Sequence, residues 1–382
     1  MALGPDYATN AVVGGVDDSA RRGDRAMSER AADAADDSVA DTDAAESATP
    51  VPSGTYAYAG IVACYAATIL LGLALTDEIA AMGLAMFQDP GSVGNVGVFA
   101  AMLLVATAGM VAAFRYGYGE TLVRVFLLGS ASTLTAVAFV ALTGTGSIAA
   151  GGSAAMGLPN SPASIAVTLV TFAVLWGYPE WYVNDIAAVV FGAAAIPMLG
   201  LGFGPLPVVV LLVAWAGYDA YAVYVSGHMQ ELAAGLGDLN APIVFVVPHS
   251  LDFSMRDPEF DLIGGDESGD EATGEPPADD AEAPTRSEIA LLGLGDAIIP
   301  GMLAVSAGHF LDAPAVVPAL NANAPALGAL VGGLVGMGGL LYLVHRVEGA
   351  HAGLPPLNAG VLGGYLLGAV AAGVPVTTAL GL

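Results

Sequence analysis

Nine apolar runs divide the chain, at residues 57–76, 93–113, 122–143, 162–178, 183–202, 205–227, 288–310, 325–346 and 356–379. Most are about 20 residues long, the length that a helix rising ~1.5 Å per residue needs to cross ~30 Å of hydrocarbon. Inside lipid the backbone N–H and C=O groups must pair within the protein, so such runs are expected as helices. The composition agrees: of 382 residues 55% are hydrophobic and only 12% charged, too apolar for a soluble domain of this size. The expected fold class is therefore an all-α polytopic protein of the cell membrane with nine transmembrane helices. Abundant Gly and Ala in the runs allow helices to approach closely in lipid. The fourth and fifth runs are the least clearly separated, with only "GYPEWYV" between them.

Charge orients the spans. The formal net charge is −27, and all nine basic residues are Arg. With a cytoplasmic N-terminus, Arg21, Arg22, Arg25 and Arg30 precede the first span, and Arg115 and Arg124 flank the second-to-third connection. Arg256 and Arg286 then lie between spans six and seven, and Arg346 ends span eight. All nine fall on the inner side of a nine-span chain, as the positive-inside bias requires, and the C-terminus is extracellular.

The acids are clustered instead. Eleven of 36 lie in residues 1–54 and thirteen between Asp252 and Glu288, among Ala, Ser, Gly and Pro that cannot bury a core. This predicts a disordered acidic cytoplasmic tail at 1–54, spans one to six at 55–228, a cytoplasmic connection with an acidic flexible insert at 229–287, and spans seven to nine at 288–382. An acidic, Lys-free surface suits very high salt and points to a halophilic archaeon. It excludes a nucleic-acid partner, which would need a basic face. The single Cys64 excludes a disulfide framework and reads as a packing residue.

The tetrapeptide GLGD occurs twice, ending at Asp238 and at Asp296. Asp238 follows span six among Gln230, Glu231 and Asn240, where a solvated carboxylate needs no explanation. Asp296 falls inside the seventh run, and an intramembrane carboxylate is costly enough to be a functional candidate. Asp219 is its counterpart in the sixth run, "VVVLLVAWAGYDAYAVYVSG". Counted as helix, both lie roughly 12–14 Å from the inner ends of consecutive antiparallel spans. Two carboxylates at one level in an apolar medium cannot both ionise easily, so the pair is expected to hold one proton near neutrality. One can then activate water as base while the other protonates a carbonyl oxygen as acid. Gly293 and Gly295 leave room for a substrate backbone beside Asp296.

These residues resemble the presenilin and signal peptide peptidase family of intramembrane aspartyl proteases, most closely its archaeal presenilin-like members. That family carries Tyr-Asp in span six, Gly-x-Gly-Asp in span seven and Pro-Ala-Leu at the start of span nine. Tyr218-Asp219 and Gly293-Leu294-Gly295-Asp296 match the first two, and "EWYVNDIAAV", "YDAYAVYVSGHM" and "APIVFVVP" look like the family's flanking text. PAL itself occurs at Pro318–Leu320 and Pro325–Leu327, both on the outer side, so the third role is assigned to Pro355-Pro356-Leu357, with Pro356 in place of Ala. The resemblance implies a presenilin-like fold over about residues 57–380. It implies catalysis by Asp219 and Asp296, and substrate contacts at Tyr218, Gly293, Leu294, Gly295, Pro355, Pro356 and Leu357. The substrates implied are transmembrane proteins or signal-peptide remnants within the lipid bilayer, with no metal and no cofactor.

Other polar residues read more plainly. Asp185 is expected as an interfacial residue near the start of span five, with a supporting hydrogen bond in the bundle as the alternative. Tyr218, Tyr221 and Tyr224 share one helical face and read chiefly as packing. The five His are scattered and no HExxH occurs, which leaves a zinc protease unsupported. "NAPIVFVVP" at 240–248 is expected to form a short strand whose exposed edge could pair with an unwound substrate. The alternative function is a proton- or ion-coupled transporter using the same Asp pair, disfavoured because no second half of the chain echoes these segments.

Overall fold

The computed structural model describes residues 53–149, 158–226, 244–250, 253–256, 289–346 and 352–382. The expected acidic tail, the acidic insert and Asp238 lie outside these residues. Within them, helices α1 (Ser53–Ala81), α2 (Gly94–Arg115) and α3 (Gly119–Thr143) lead to a small strand pair, β1 (Ile148–Ala149) and β2 (Leu158–Pro159). Then come α4 (Pro162–Gly177), α5 (Trp181–Gly200) and α6 (Pro205–Tyr221), the last continued by a π turn at Ala222–Ser226. Strands β3 (Val244–Pro248) and β4 (Ile289–Gly293) precede α7 (Leu294–Phe310), and β5 (Ala315–Val317) and β6 (Ala322–Asn323) precede α8 (Ala324–Arg346). Helices α9 (Leu354–Ala371) and α10 (Val376–Ala379) end the chain. Seven helices are long and apolar enough to cross a membrane, and α4 and α7 are shorter apolar helices.

Each expected span contains a helix, but three boundaries differ. The seventh helix starts at Leu294, not at 288, because Ile289–Gly293 is a strand paired antiparallel with β3, Val244 opposite Gly293. An apolar pentapeptide such as IALLG suits either state, and the available partner strand decides. The ninth helix stops at Ala371 and not at 379, since Gly373 takes a left-handed φ of 75° and Pro375 follows. The sixth leaves α-helical geometry after Tyr221, where the wider π turn begins. Between α4 and α5 the break falls at Tyr178–Glu180, around Pro179.

The core runs between α1, α5 and α7, where Ile61, Ile69, Ala188, Ile196, Met302 and Val305 are buried. Glycines set the spacing, because lipid is as apolar as Leu and association rests on close packing. A methyl placed on Gly301 of α7 would lie 2.6 Å from Ile196 of α5, and one on Gly200 of α5 would lie 2.9 Å from Val305 of α7. Helices α8 and α9 are closer still: a methyl on Gly332 would lie 2.1 Å from the Gly360 oxygen, and one on Gly364 2.1 Å from the Gly328 oxygen. At the far end of α7, Asn323 donates to the Ala307 oxygen (2.7 Å) and accepts from the Ala326 N–H (2.9 Å), so one side chain closes α7 and opens α8.

This packing predicts an asymmetry between neighbouring glycines of α8. Gly332→Leu should destabilise the detergent-solubilised protein by at least the roughly 1–3 kcal/mol typical of overpacking. Gly338, which has nothing within 4 Å of an added methyl, should accept Ala with a change of no more than about 0.5 kcal/mol. Thermal melting of both variants checks this.

Candidate active site

The sheet and two helix starts build the site. Asp219 sits half-buried in the last turn of α6, one turn before the π segment. π turns recur at functional sites because the widened backbone redirects side chains. On the other side β4 ends at Gly293, still extended at φ −61° and ψ 133°, and α7 begins at Leu294. Asp296 is thus in the first turn of α7, where free backbone N–H groups and the helix dipole favour a negative charge. The two carboxylates lie within electrostatic reach of each other. They come within reach for a different reason than the counting of helical residues suggested, since Ile289–Gly293 is a strand rising ~3.3 Å per residue and not part of the helix.

A second helix start closes on Asp219. Gly353 precedes α9, whose first three residues are Leu354, Pro355 and Pro356. Proline has no N–H, so the first turn keeps only the Leu354 and Leu357 donors. The Leu354 N–H donates to Asp219 Oδ2 at 3.0 Å, aiming the positive end of α9 at the carboxylate. Ala352 N–H reaches Tyr224 Oη at 3.4 Å, a second tie between this segment and α6. Leu357 is fully buried, and Asn358 Nδ2 donates to the Leu212 oxygen of α6 at 2.9 Å. Of the two PAL tripeptides, Pro318–Leu320 is a 3-10 turn between β5 and β6, and Pro325–Leu327 lies in the first turn of α8. Of the three tripeptides, the one at the start of α9 directly follows the residue bonded to Asp219.

The remaining expected residues divide by side-chain direction. Gly295 is exposed, and a methyl on Gly293 would lie 3.2 Å from Asp296 Oδ2, so a side chain there would crowd the carboxylate. Leu294 turns inward and is buried against Gly192 of α5. Leu357 likewise points into the core. Tyr218, Tyr221 and Tyr224 are 68%, 58% and 63% exposed, so the face read chiefly as packing is an outward one. Asp185, in the opening turns of α5, is 6% exposed and accepts the Val246 N–H at 2.8 Å, the supporting bond of the alternative reading. Tyr65 of α1, fully buried, stands within electrostatic reach of Asp296.

Sequence reasoning missed Leu354 because its contribution is a main-chain donor. The signal was present, since two consecutive prolines leave the residue before them as the free N–H of the turn. It also missed Tyr65, which nothing in α1 distinguishes from a core aromatic.

Residues 62–374 match the family model described as signal-peptide peptidase, presenilin aspartyl protease. A solved structure of a presenilin family intramembrane aspartate protease, in space group C222, is 27% identical. It aligns with a TM-score of 0.56 over 82% of this chain and 99% of its own. A second structure of a presenilin family intramembrane aspartate protease, in space group P2, is 28% identical, with a TM-score of 0.52 over 82% of this chain and 97% of its own. No curated protein sequence matches. The family match takes in α6, the β3–β4 sheet, α7 and the start of α9, and the chain belongs to the signal-peptide peptidase and presenilin family of aspartyl proteases.

Proposed function

We propose that the chain is an intramembrane aspartyl endopeptidase in which Asp219 and Asp296 are the acid/base pair. The observation that carries this is that two carboxylates from separate helices lie within electrostatic reach of each other, with the α9 N-terminus fixed on one of them. In the reaction the ionised carboxylate takes a proton from water, and the water oxygen attacks the scissile carbonyl carbon. The protonated carboxylate donates to the carbonyl oxygen, giving a gem-diol; transfer of a proton to nitrogen then breaks the C–N bond. The family match favours hydrolysis over proton- or ion-coupled transport.

Substrates in this reading are transmembrane segments or signal-peptide remnants, unwound locally because a helical peptide bond is shielded. A cavity open to the cytoplasm supplies water. The chain crosses the membrane nine times with its N-terminus cytoplasmic and C-terminus extracellular. Helix α7 contributes about 26 Å to its crossing, and β4 completes it. The acidic, Lys-free composition suits a salt-adapted source.

The sheet suggests where the unwound segment lies. Val246 turns its N–H away from β4 and onto Asp185, so that edge of β3 is occupied. In an antiparallel ladder the residues opposite non-bonded positions face outward too. On β4 these are Ile289, Leu291 and Gly293, with Leu291 exposed. The free edge is therefore assigned to β4, which runs straight into Gly293-Leu294-Gly295-Asp296, and not to β3. A substrate strand added there would be carried to the carboxylates. Tyr218, Gly293, Gly295, Pro355 and Pro356 border this path, with Leu294 and Leu357 buried behind them.

Cleavage of a single-span reporter in membranes tests the pair. Asp219→Ala and Asp296→Ala should each lose about 10²–10⁴-fold or more of the activity, the scale of one acid/base group. Asp238→Ala should cleave like the wild type; full activity in Asp296→Ala would refute the assignment. The same assay tests the edge: Leu291→Pro removes an outward N–H without touching the ladder to β3, and should cut turnover by roughly tenfold, the scale of one backbone hydrogen bond.

A further inference from the structure

The buried carboxylate Asp185 has no part in the hydrolytic steps above, yet it occupies a decisive place. Val246 is 2% exposed and directs its N–H away from the partner strand. Left unpaired in the interior, that donor would be costly. Asp185 Oδ1 accepts it at 2.8 Å. Nearby, Glu180 Oε1 accepts from Ser254 Oγ at 2.8 Å, and Asn184 Nδ2 lies 3.9 Å from Met255 Sδ. The opening turns of α5 and the residue before them thus grip two described pieces of the α6–α7 connection, 244–250 and 253–256, while Val246 and Met255 pack with Trp181, Val244 and Phe253.

The other end of the lever is α7. Further along, the same α5 meets Leu294 at Gly192 and Gly301 at Ile196. One rigid helix therefore holds the strand at its start and the helix bearing Asp296 at its middle. Strand β3 and α7 are thus both tied to α5, and β4, bonded to β3 and continuous with α7, lies between them. Strand register allows only discrete errors: a two-residue slip keeps the same faces and moves the strand by about 6–7 Å.

We propose that Asp185 is a positioning residue for the hydrolysis: by holding the Val246 N–H it fixes the register of the β3–β4 sheet and so selects which substrate bond reaches Asp219 and Asp296. This rests on the protease reading and adds a determinant of cleavage position to it. When β3 slips against β4, the outer edge of β4 is no longer held in line with α7, and the substrate strand on it is presented at a different bond.

Mass spectrometry of the reporter products, with kcat and KM measured in parallel, tests it on the full-length protein. Asp185→Ala should spread cleavage to bonds one or two residues from the wild-type site and lower kcat by roughly 10- to 100-fold, the cost of small misplacements at a reacting centre. Asp185→Asn keeps an acceptor oxygen and should restore the wild-type site and most of kcat. Val246→Pro removes the donor while leaving the β4 ladder intact, and should shift cleavage as Asp185→Ala does, even if the latter fails to accumulate as folded protein. An unshifted site in both Asp185→Ala and Val246→Pro, with wild-type cleavage intact, would overturn this inference alone. So would Asp185→Asn failing to restore the site. A wild type that cleaves nothing would overturn the protease reading itself and this inference with it.

Discussion

A backbone that leaves helical geometry inside an apolar bundle must find partners for its N–H and C=O groups, because lipid offers none. Most of the unusual features of this protein are answers to that requirement. Residues 289–293 pair with β3. The Val246 N–H on the outer side of β3 goes to Asp185, and the Leu354 N–H before two prolines goes to Asp219. Asn323 serves the junction of α7 and α8. Two of these partners are carboxylates, so the breaks in the helices and the charges in the membrane stabilise one another. The candidate active site lies where the breaks converge.

Close helix packing holds these breaks in place. Glycines on α5, α7, α8 and α9 bring backbones to distances that leave no room for a methyl group. Pro356 shares in this: a methyl on Gly336 of α8 would lie 2.7 Å from its oxygen, so α8 presses against the turn that donates to Asp219. A carboxylate pair needs this rigidity, since repulsion would otherwise separate two groups free to move. The division of labour is clear. Glycine contacts position the elements, and a few charge-assisted hydrogen bonds orient the reacting groups.

Much of this was legible in the residues. Run length placed a helix in each of the nine apolar segments, and the unequal surroundings of the two GLGD copies singled out Asp296. Asp219 followed from one acid in an apolar run. What escaped had a common cause. The strand at Ile289–Gly293 is apolar and short, and its state depends on a partner more than forty residues earlier. The role of Leu354 belongs to its main chain, which sequence patterns do not name. Asp185 near a helix start reads like any interfacial acid until the strand it holds is seen. The boundary of α9 was misjudged because Gly373 and Pro375 were read as part of an apolar run and not as a stop.

The central claim is that Asp219 and Asp296 work as one unit sharing a proton. The most direct measurement is the pH dependence of kcat for reporter cleavage by the full-length protein. A shared proton requires one carboxylate ionised and one protonated, so activity must fall when both are protonated and again when both are ionised. The account predicts a bell-shaped profile whose two limbs belong to the pair and not to either residue. A profile with a single limb, flat across the range where the second carboxylate must lose its proton, would contradict it.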